Sequence, residues 1–292
     1  MTDLAFPGTA ARELVRTALD EDLGGESGVD VTTSATIPPG QVSTAHVVAR
    51  ADGVLAGIPV VALVFDEVAR RLGAAPLDIA AQRSDGDALV EGDVVATLHG
   101  STQVTLVGER TMLNILCRTS GIATHTRRWA EQLAGSGATV LDTRKTTPGL
   151  RALEKYAVRA GGGTNKRMGL YDVAMIKDNH KLAAGSLSKA YAAVRAQFPD
   201  VPVQVEVTTT DEALESVRVG ARFLLCDNMS VDLLRETVQA VRATGEHVEL
   251  EATGGLTLDV ARAYAETGVD YLSVGGLTHS SPILDLALDL VD

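Results

Sequence analysis

Lysine is absent from the first 144 residues of this 292-residue chain, and again after position 189. A carrier module holds its cofactor on a hairpin-tip lysine, so the turn-rich N-terminal region is excluded from that role. Cysteine is as scarce. Cys117 and Cys226 have no metal-ligand spacing and make no disulfide framework, which predicts two small core residues in a reducing compartment, the cytoplasm. Aromatic residues make up only 3%, so a core drawn from a 45% apolar chain has to be built from Ala, Val and Leu. No apolar run approaches the length of a membrane span. The N-terminus lacks a basic stretch followed by an apolar one, so no signal peptide is expected. An excess of positive charge is missing too: a formal net charge of -12 argues against nucleic acid as a partner.

The positive charge that is present gathers in one place. Residues 142–181 carry Arg144, Lys145, Arg151, Lys155, Arg159, Lys166, Arg167, Lys177 and Lys181 against Asp142, Glu154, Asp172 and Asp178. An ammonium is a compact, mobile point charge and a guanidinium is a planar clamp for carboxylates. Both types together in an acidic protein predict a small polyanionic substrate. A charge run is more often a solvated face. Against that stand the interleaved Gly161-Gly162-Gly163, the turn Thr146-Thr147-Pro148-Gly149, and the apolar run 173–176 that delivers Lys177.

Along the chain, residues 10–23 have apolar positions at helical spacing, ended by Gly24-Gly25. A β-branched stretch, 29–37, ends at Pro38-Pro39-Gly40. Residues 42–54 read as strand, turn, strand, 59–72 as a helix, and 86–100 as short strands with tight turns. This is an α+β pattern with an antiparallel sheet. A long helix is predicted from about Leu106 to Ala134, broken at Ser120-Gly121, with the domain boundary near residue 113. Apolar runs then recur at 138–142, 173–177, 203–207, 222–227, 247–252 and 270–276, alternating with helical segments. Such βαβ units make a parallel sheet. Closed into a barrel, it would carry its chemistry at the C-terminal strand ends. Those ends hold Asp142 with Arg144 and Lys145, then Lys177, Glu206, Asp227, Glu251 and Gly275-Gly276.

The last two runs each lead into a glycine pair followed by helix-forming sequence, Gly254-Gly255 and Gly275-Gly276. Bare amides at such a turn cradle phosphate, and the last two strand loops of barrels are the frequent phosphate site. Thr253 and His279 can add side-chain donors. Glu206 and Asp227 end adjacent strands, where paired acids hold Mg²⁺, directly or through water, or bond sugar hydroxyls. Each could equally pair with a nearby cation.

With these residues in view, the chain resembles the quinolinate phosphoribosyltransferase family (nicotinate-nucleotide pyrophosphorylase, carboxylating). The resemblance runs through EDLGG and DVTT (21–33), ERTMLNILCRTSGIAT (109–124), DTRKTTPGLRALEKYAVRAGGG (142–163), GLYDVAMIKDNH (169–180), VEVTT (205–209), CDNMS (226–230), EATGGL (251–256) and VGGLTHS (274–280). It implies an α/β protein with an N-terminal α/β sandwich, residues 1–113, and an incomplete (β/α) barrel with parallel strands, residues 114–280. The tail, 281–292, returns to the sandwich. It also implies a homodimer or an assembly of dimers, with Arg110 reaching into the partner's site. The implied reaction joins quinolinate to phosphoribosyl pyrophosphate with Mg²⁺, giving nicotinate mononucleotide, pyrophosphate and CO₂. In it, Arg110, Arg144, Lys166, Arg167 and Lys177 hold quinolinate. Lys145, Glu206, Asp227, Thr253, Gly254, Gly255, Gly275, Gly276 and His279 hold phosphoribosyl pyrophosphate, with Lys145, Glu206 and Asp227 catalytic.

The chain departs from the family pattern at Lys166, usually histidine, at Thr147, usually leucine, and at Cys117-Arg118-Thr119. A lysine at 166 is predicted to add a second fixed charge beside Arg167 in the acceptor pocket. Two other readings remain open at this stage. One is a paralogous phosphoribosyltransferase for another pyridine or aromatic carboxylate. The other is a barrel aldolase or decarboxylase using Lys145 or Lys177 as a Schiff base.

Overall fold

The computed structural model describes residues 5–291. In chain order its elements begin with α1 (Gly8–Leu23), α2 (Val31–Thr36), β1 (Val42–Ala49), β2 (Gly53–Val54), α3 (Pro59–Leu72), β3 (Asp78–Ala81), β4 (Ala88–Leu89) and β5 (Val94–Ser101). Next come α4 (Thr102–Leu133), β6 (Thr139–Leu141), α5 (Arg151–Ala160), β7 (Ala174–Ile176), α6 (Asp178–Ala184), α7 (Leu187–Gln197), β8 (Val203–Val207) and α8 (Thr210–Arg218). The last are β9 (Phe223–Asp227), α9 (Val231–Arg242), β10 (Glu249–Thr253), α10 (Leu258–Ala265), β11 (Tyr271–Ser273), α11 (Gly276–His279) and β12 (Leu286–Leu290). They form two compact units. The first runs to Arg127, takes in Thr146–Gly162 and resumes at Leu277; the second holds Arg128–Lys145 and Gly163–Gly276.

The first unit has an antiparallel sheet in the order β12-β1-β5-β3, with a small β2-β4 pair beside it. β1 alternates buried and less buried positions, as a strand with one covered face must. α1 and α3 cover that face. Val15 and Leu19 of α1 meet Val60, Val64, Phe65 and Val68 of α3, Val47, Leu98 and Met112 in one apolar core. Each of these two helices stops at a glycine in the left-handed region, Gly24 (φ +81°) and Gly73 (φ +63°). The β-branched stretch 29–37 forms the short helix α2 because Asp30 caps it, accepting from the amides of Thr32 (2.9 Å) and Thr33 (3.1 Å).

Two expectations need correction. α4 is continuous through Ser120-Gly121. Gly121 does not break the helix. It admits the chain at Pro282 and Ile283: a Cβ there would lie 2.1 Å from the Pro282 carbonyl oxygen and 2.7 Å from Ile283 Cα. The boundary near residue 113 falls inside α4, and the first unit extends to Arg127 and also claims α5. Side chains explain the capture of α5. The Tyr156 hydroxyl donates to Asp85, Arg118 bonds Glu154 at 3.0 Å, and Arg127 donates to the Gly161 carbonyl at 3.1 Å. The tail supplies β12, which pairs antiparallel with β1 from Ala45↔Leu290 to Ala49↔Leu286.

The second unit has a parallel sheet in the order β6-β11-β10-β9-β8-β7. Its edge strands are consecutive in the chain, and no strand ladder joins them, so the parallel barrel is incomplete. β8 is buried at every position, with Val203, Val205 and Val207 on one face and Gln204 and Glu206 on the other.

Candidate active site

All six strands of the second unit are parallel, so their C-terminal ends share one edge. β6 leads there into Asp142, Arg144 and Lys145, and β7 into Lys177; β8 brings Glu206, β9 Asp227 and β10 Thr253 with Gly254-Gly255. β11 leads into Gly275-Gly276.

Two of the strand-end acids are internal. Asp142 is 0% exposed and accepts from the Lys166 amide at 2.8 Å and from Asn165 Nδ2 at 2.6 Å. It thereby fastens the segment after the glycine run to β6. Glu251, also fully buried, accepts from Gln204 Nε2 at 2.5 Å and pairs with the Lys166 ammonium. Lys166 does turn inward, with its side chain 9% exposed. The second fixed charge expected beside Arg167 is matched by Glu251. Burial pulls the Lys166 pKa below the ordinary lysine range, against the pull of Glu251.

The arginines are different. Arg167 donates to the Val173 carbonyl at 3.1 Å and lies 3.5 Å from Met175 Sδ. Arg144 Nε is buried with no hydrogen-bond partner. Neither guanidinium forms an ion pair with a carboxylate among the described residues. Burial first, and then the Arg144 charge, hold the Arg167 pKa below the usual guanidinium range. Two cations kept close, partly out of water and unmatched, with one N–H unsatisfied, make a site for an anion.

The acids Glu206 and Asp227 stand on neighbouring strands. Glu206 pairs with Lys177 at 3.0 Å, so its alternative reading as a cation partner also holds. Its own carbonyl accepts from Lys181 at 3.1 Å, and Lys181 is held by Asp178 (2.7 Å) and Glu212 (3.1 Å). The Lys177 amide donates to His180 Nδ1 at 3.0 Å, which fixes the turn into α6. Asp227 accepts from Asn228 Nδ2 at 2.8 Å.

Asn228 explains the first glycine pair. It is the one non-glycine residue with positive φ (+53°) among the described residues, and its amide donates to the Thr253 carbonyl at 2.9 Å. A Cβ on Gly254 would meet Asn228 Oδ1 at 2.2 Å, and Gly254 and Gly255 have φ of +102° and +59°. At Gly254 the contact and the φ together require glycine. Gly275-Gly276 differs: it opens the short turn of α11 and has no left-handed backbone.

Lys145 is exposed, and the Lys177 side chain is 48% exposed and ion-paired. Neither has the desolvated amine a Schiff-base enzyme uses. Burial, with a smaller contribution from Glu251, pushes the Cys226 thiol up to about 12, so it takes no part in nucleophilic chemistry. Arg110 and His279 belong to the first unit. Arg110 is exposed on α4, with Glu109 at 3.8 Å, and His279 ends α11 with Nδ1 2.6 Å from Ser280 Oγ.

Sequence models of two domains match the chain. "Quinolinate phosphoribosyl transferase, N-terminal domain" covers residues 30–120 and the corresponding C-terminal domain covers 122–289. The chain belongs to the quinolinate phosphoribosyltransferase family. Among the family's members, the nicotinate-nucleotide pyrophosphorylase [carboxylating] of Mycobacterium leprae is 47% identical over 281 residues, 96% of this chain and 97% of the other. The probable enzyme of that name from Bacillus subtilis is 41% identical over 90% of this chain and 89% of its own length. The crystal structure of NadC from Streptococcus pyogenes superposes with a TM-score of 0.90 at 34% identity, covering 99% of each chain. Against this family background, the residues missed in the sequence are the holders: Asn165, Lys181, Gln204 and Asn228. One signal was available for Gln204. It alternates with Glu206 in VQVEV, two polar residues on one face of a strand otherwise apolar.

Proposed function

We infer that the chain transfers the phosphoribosyl group of phosphoribosyl pyrophosphate to the ring nitrogen of quinolinate. One carboxylate leaves as CO₂, and nicotinate mononucleotide and pyrophosphate are formed, a step of NAD biosynthesis. The observation that carries this reading is the unmatched pair Arg144 and Arg167, on the same sheet edge as two acids and two glycine turns. The guanidiniums clamp the two carboxylates of quinolinate by charge-assisted hydrogen bonds and turn its nitrogen toward the sugar. Lys177 joins them from β7, and the exposed Lys145 meets the pyrophosphate or the reacting carboxylate. The turn at Thr253–Gly255 and the one at Gly275-Gly276 take the sugar phosphate. Positive charge grows on the ribose carbon as pyrophosphate leaves, and Glu206 and Asp227 stabilise it from fixed positions. Once ribosylated, the ring is cationic and draws the electrons of the breaking carboxylate bond onto the carbon beside the nitrogen, which then takes a proton from water, so no covalent nucleophile is required.

Mg²⁺ fits this donor set in a particular way. The described residues contain no cluster of three or more metal-ligating side chains. Glu206 and Asp227 would hold the ion as the two protein carboxylates, directly or through water. Bound there, it supplies charge neutralisation to the pyrophosphate. The exposed Arg110 is read as the contribution of one subunit to the site of another in a dimer. The buried thiols Cys117 and Cys226 suit the reducing cytoplasm, and no helix among the described residues is long and apolar enough to cross a membrane.

The test is incubation with quinolinate, phosphoribosyl pyrophosphate and Mg²⁺, following pyrophosphate and CO₂ together. Equal release of both is expected. Pyrophosphate without CO₂, or neither, would overturn the assignment.

A further inference from the structure

Where the chain re-enters the first unit after β6, and again after β11, it is held by the same pair of first-unit side chains. Glu154 of α5 is 1% exposed. Its Oε2 accepts from the Thr147 amide at 3.0 Å and its Oε1 from the Thr147 hydroxyl at 2.9 Å. Oε1 also accepts from Arg118 Nη2 at 3.0 Å. Arg118 then reaches the other loop: Nη2 donates to the Thr278 carbonyl and Nη1 to the Ser281 carbonyl at 3.0 Å. Thr147 follows Lys145 by two residues, and Thr278 follows Gly276 by two.

We propose that Thr147, Glu154 and Arg118 are positioning residues that couple the loop carrying Arg144 and Lys145 to the loop carrying Gly275 and Gly276, so that filling one site tightens the other. The proposal rests on the function inferred above, in which the first loop holds quinolinate and the second the sugar phosphate.

The bonding pattern favours coupling over simple support of the fold. The pair joins a buried carboxylate to a guanidinium 23% exposed; such a pair is a weak source of stability, because desolvation of the carboxylate offsets the attraction, and a better-attested use is to fix register. Here the remaining bonds of the pair all go to two loops and none to a strand. The guanidinium spends its fork on two carbonyls of one loop, and the carboxylate accepts both donors of one threonine in the other. Movement of either loop must therefore break a charge-assisted bond or drag the pair with it. A ligand that orders one loop thereby lowers the ordering cost of the second. Thr147 is itself exposed, so its side chain fills no core. Its hydroxyl has only the link to perform, and an aliphatic side chain could not make that bond.

The test is equilibrium binding of quinolinate, alone and with saturating ribose 5-phosphate, which has the sugar phosphate but no leaving group. The coupling factor is the ratio of the two dissociation constants. In the wild-type protein quinolinate is expected to bind about fivefold tighter or more with ribose 5-phosphate present, at the lower end of ordinary coupling. Thr147→Val and Thr147→Leu, which lose the hydroxyl bond and keep the amide bond to Glu154, should lower the ratio toward one, and Thr147→Ser, which keeps both, should retain it. A purely structural role would lower melting temperature and leave the ratio unchanged. A wild-type ratio of one, or an unchanged ratio in Thr147→Val, overturns the proposal. Wild-type protein that turns over both substrates yet shows no coupling condemns only the coupling, whereas wild-type protein that binds no quinolinate condemns the functional reading beneath it.

Discussion

Asp227 and Glu206, the two carboxylates proposed to steady the ribose charge, have different surroundings. Asp227 is partly exposed and bonded only to its neighbour Asn228, whereas Glu206 is ion-paired with Lys177. Asp227→Ala should keep the melting temperature and lower kcat by about a hundredfold, the scale of one lost transition-state charge interaction. Wild-type turnover in the folded variant would remove Asp227 from the mechanism. Lys166 and Glu251 are expected to behave in the opposite way. Glu251→Ala leaves a buried ammonium without its counter-charge and should destabilise the fold by about 3–5 kcal/mol. Lys166→Met with Glu251→Gln should recover most of that, since both charges go together. Denaturant midpoints of the three proteins decide it, and equal losses in the single and double variants would show that the pair contributes little. Strand-end acids were legible as a class in the sequence, because an apolar run ending in a charge is a local pattern. Which of them were internal was not. Asp142 and Glu251 are sorted from Glu206 and Asp227 by partners far along the chain, Lys166 and Gln204.

The elements themselves were mostly readable, and the failures have one cause. The break expected in α4 came from the low helix propensity of Ser-Gly, about 1 kcal/mol for the glycine, which tertiary contact overrides. Ser120 Oγ accepts from the Ala56 amide at 3.1 Å, and Gly121 admits the chain at Pro282. Gly121→Ala is therefore expected to destabilise the protein, by roughly 1–3 kcal/mol as in overpacked cores, although alanine is the better helix former. A rise in melting temperature would show that the tail can retreat at no cost. Beside the apolar core that α1 and α3 share, ion pairs within α3 are joined to α1 through Arg71 and Asp20. Arg71, its side chain 2% exposed, lies 3.1 Å from Glu67 and 2.8 Å from Asp20, and Arg70 lies 2.7 Å from Glu67. The Arg70 hydrogen bonds, aided by Arg71 and opposed by partial burial, pull the Glu67 pKa from 4.5 down to about 2. A carboxyl depressed in the fold adds stability that is present above its unfolded value and is lost as pH falls through the folded one. Wild-type stability should thus decline between about pH 4.5 and 2 more steeply than that of Glu67→Gln, measured by urea midpoints at each pH. Parallel curves would show that Glu67 titrates alike in both states.

At the scale of the whole molecule, the sequence announced two kinds of architecture by its change of rhythm, tight turns giving way to βαβ spacing. It could not announce where one ends, because α5 joins the first unit through Tyr156, Glu154 and Arg127, contacts made across long stretches of chain. Assembly is testable at the same scale. Inactive Arg110→Ala and inactive Lys145→Ala, mixed under conditions of subunit exchange, should regain partial activity, since a mixed dimer contains one site with both wild-type residues. No recovery with mixed dimers confirmed by mass would confine Arg110 to its own subunit or remove it from catalysis. The pairing of β12 with β1 bears also on how the protein is born. A ribosome releases β1 early, but the strand that completes its sheet emerges only after every strand of the second unit, some 240 residues later. At about 5–20 residues per second the nascent sheet waits on the order of ten to fifty seconds with one edge open. The unit begun first is thus finished last, and its unpaired β1 edge is the surface a chaperone would have most reason to shield.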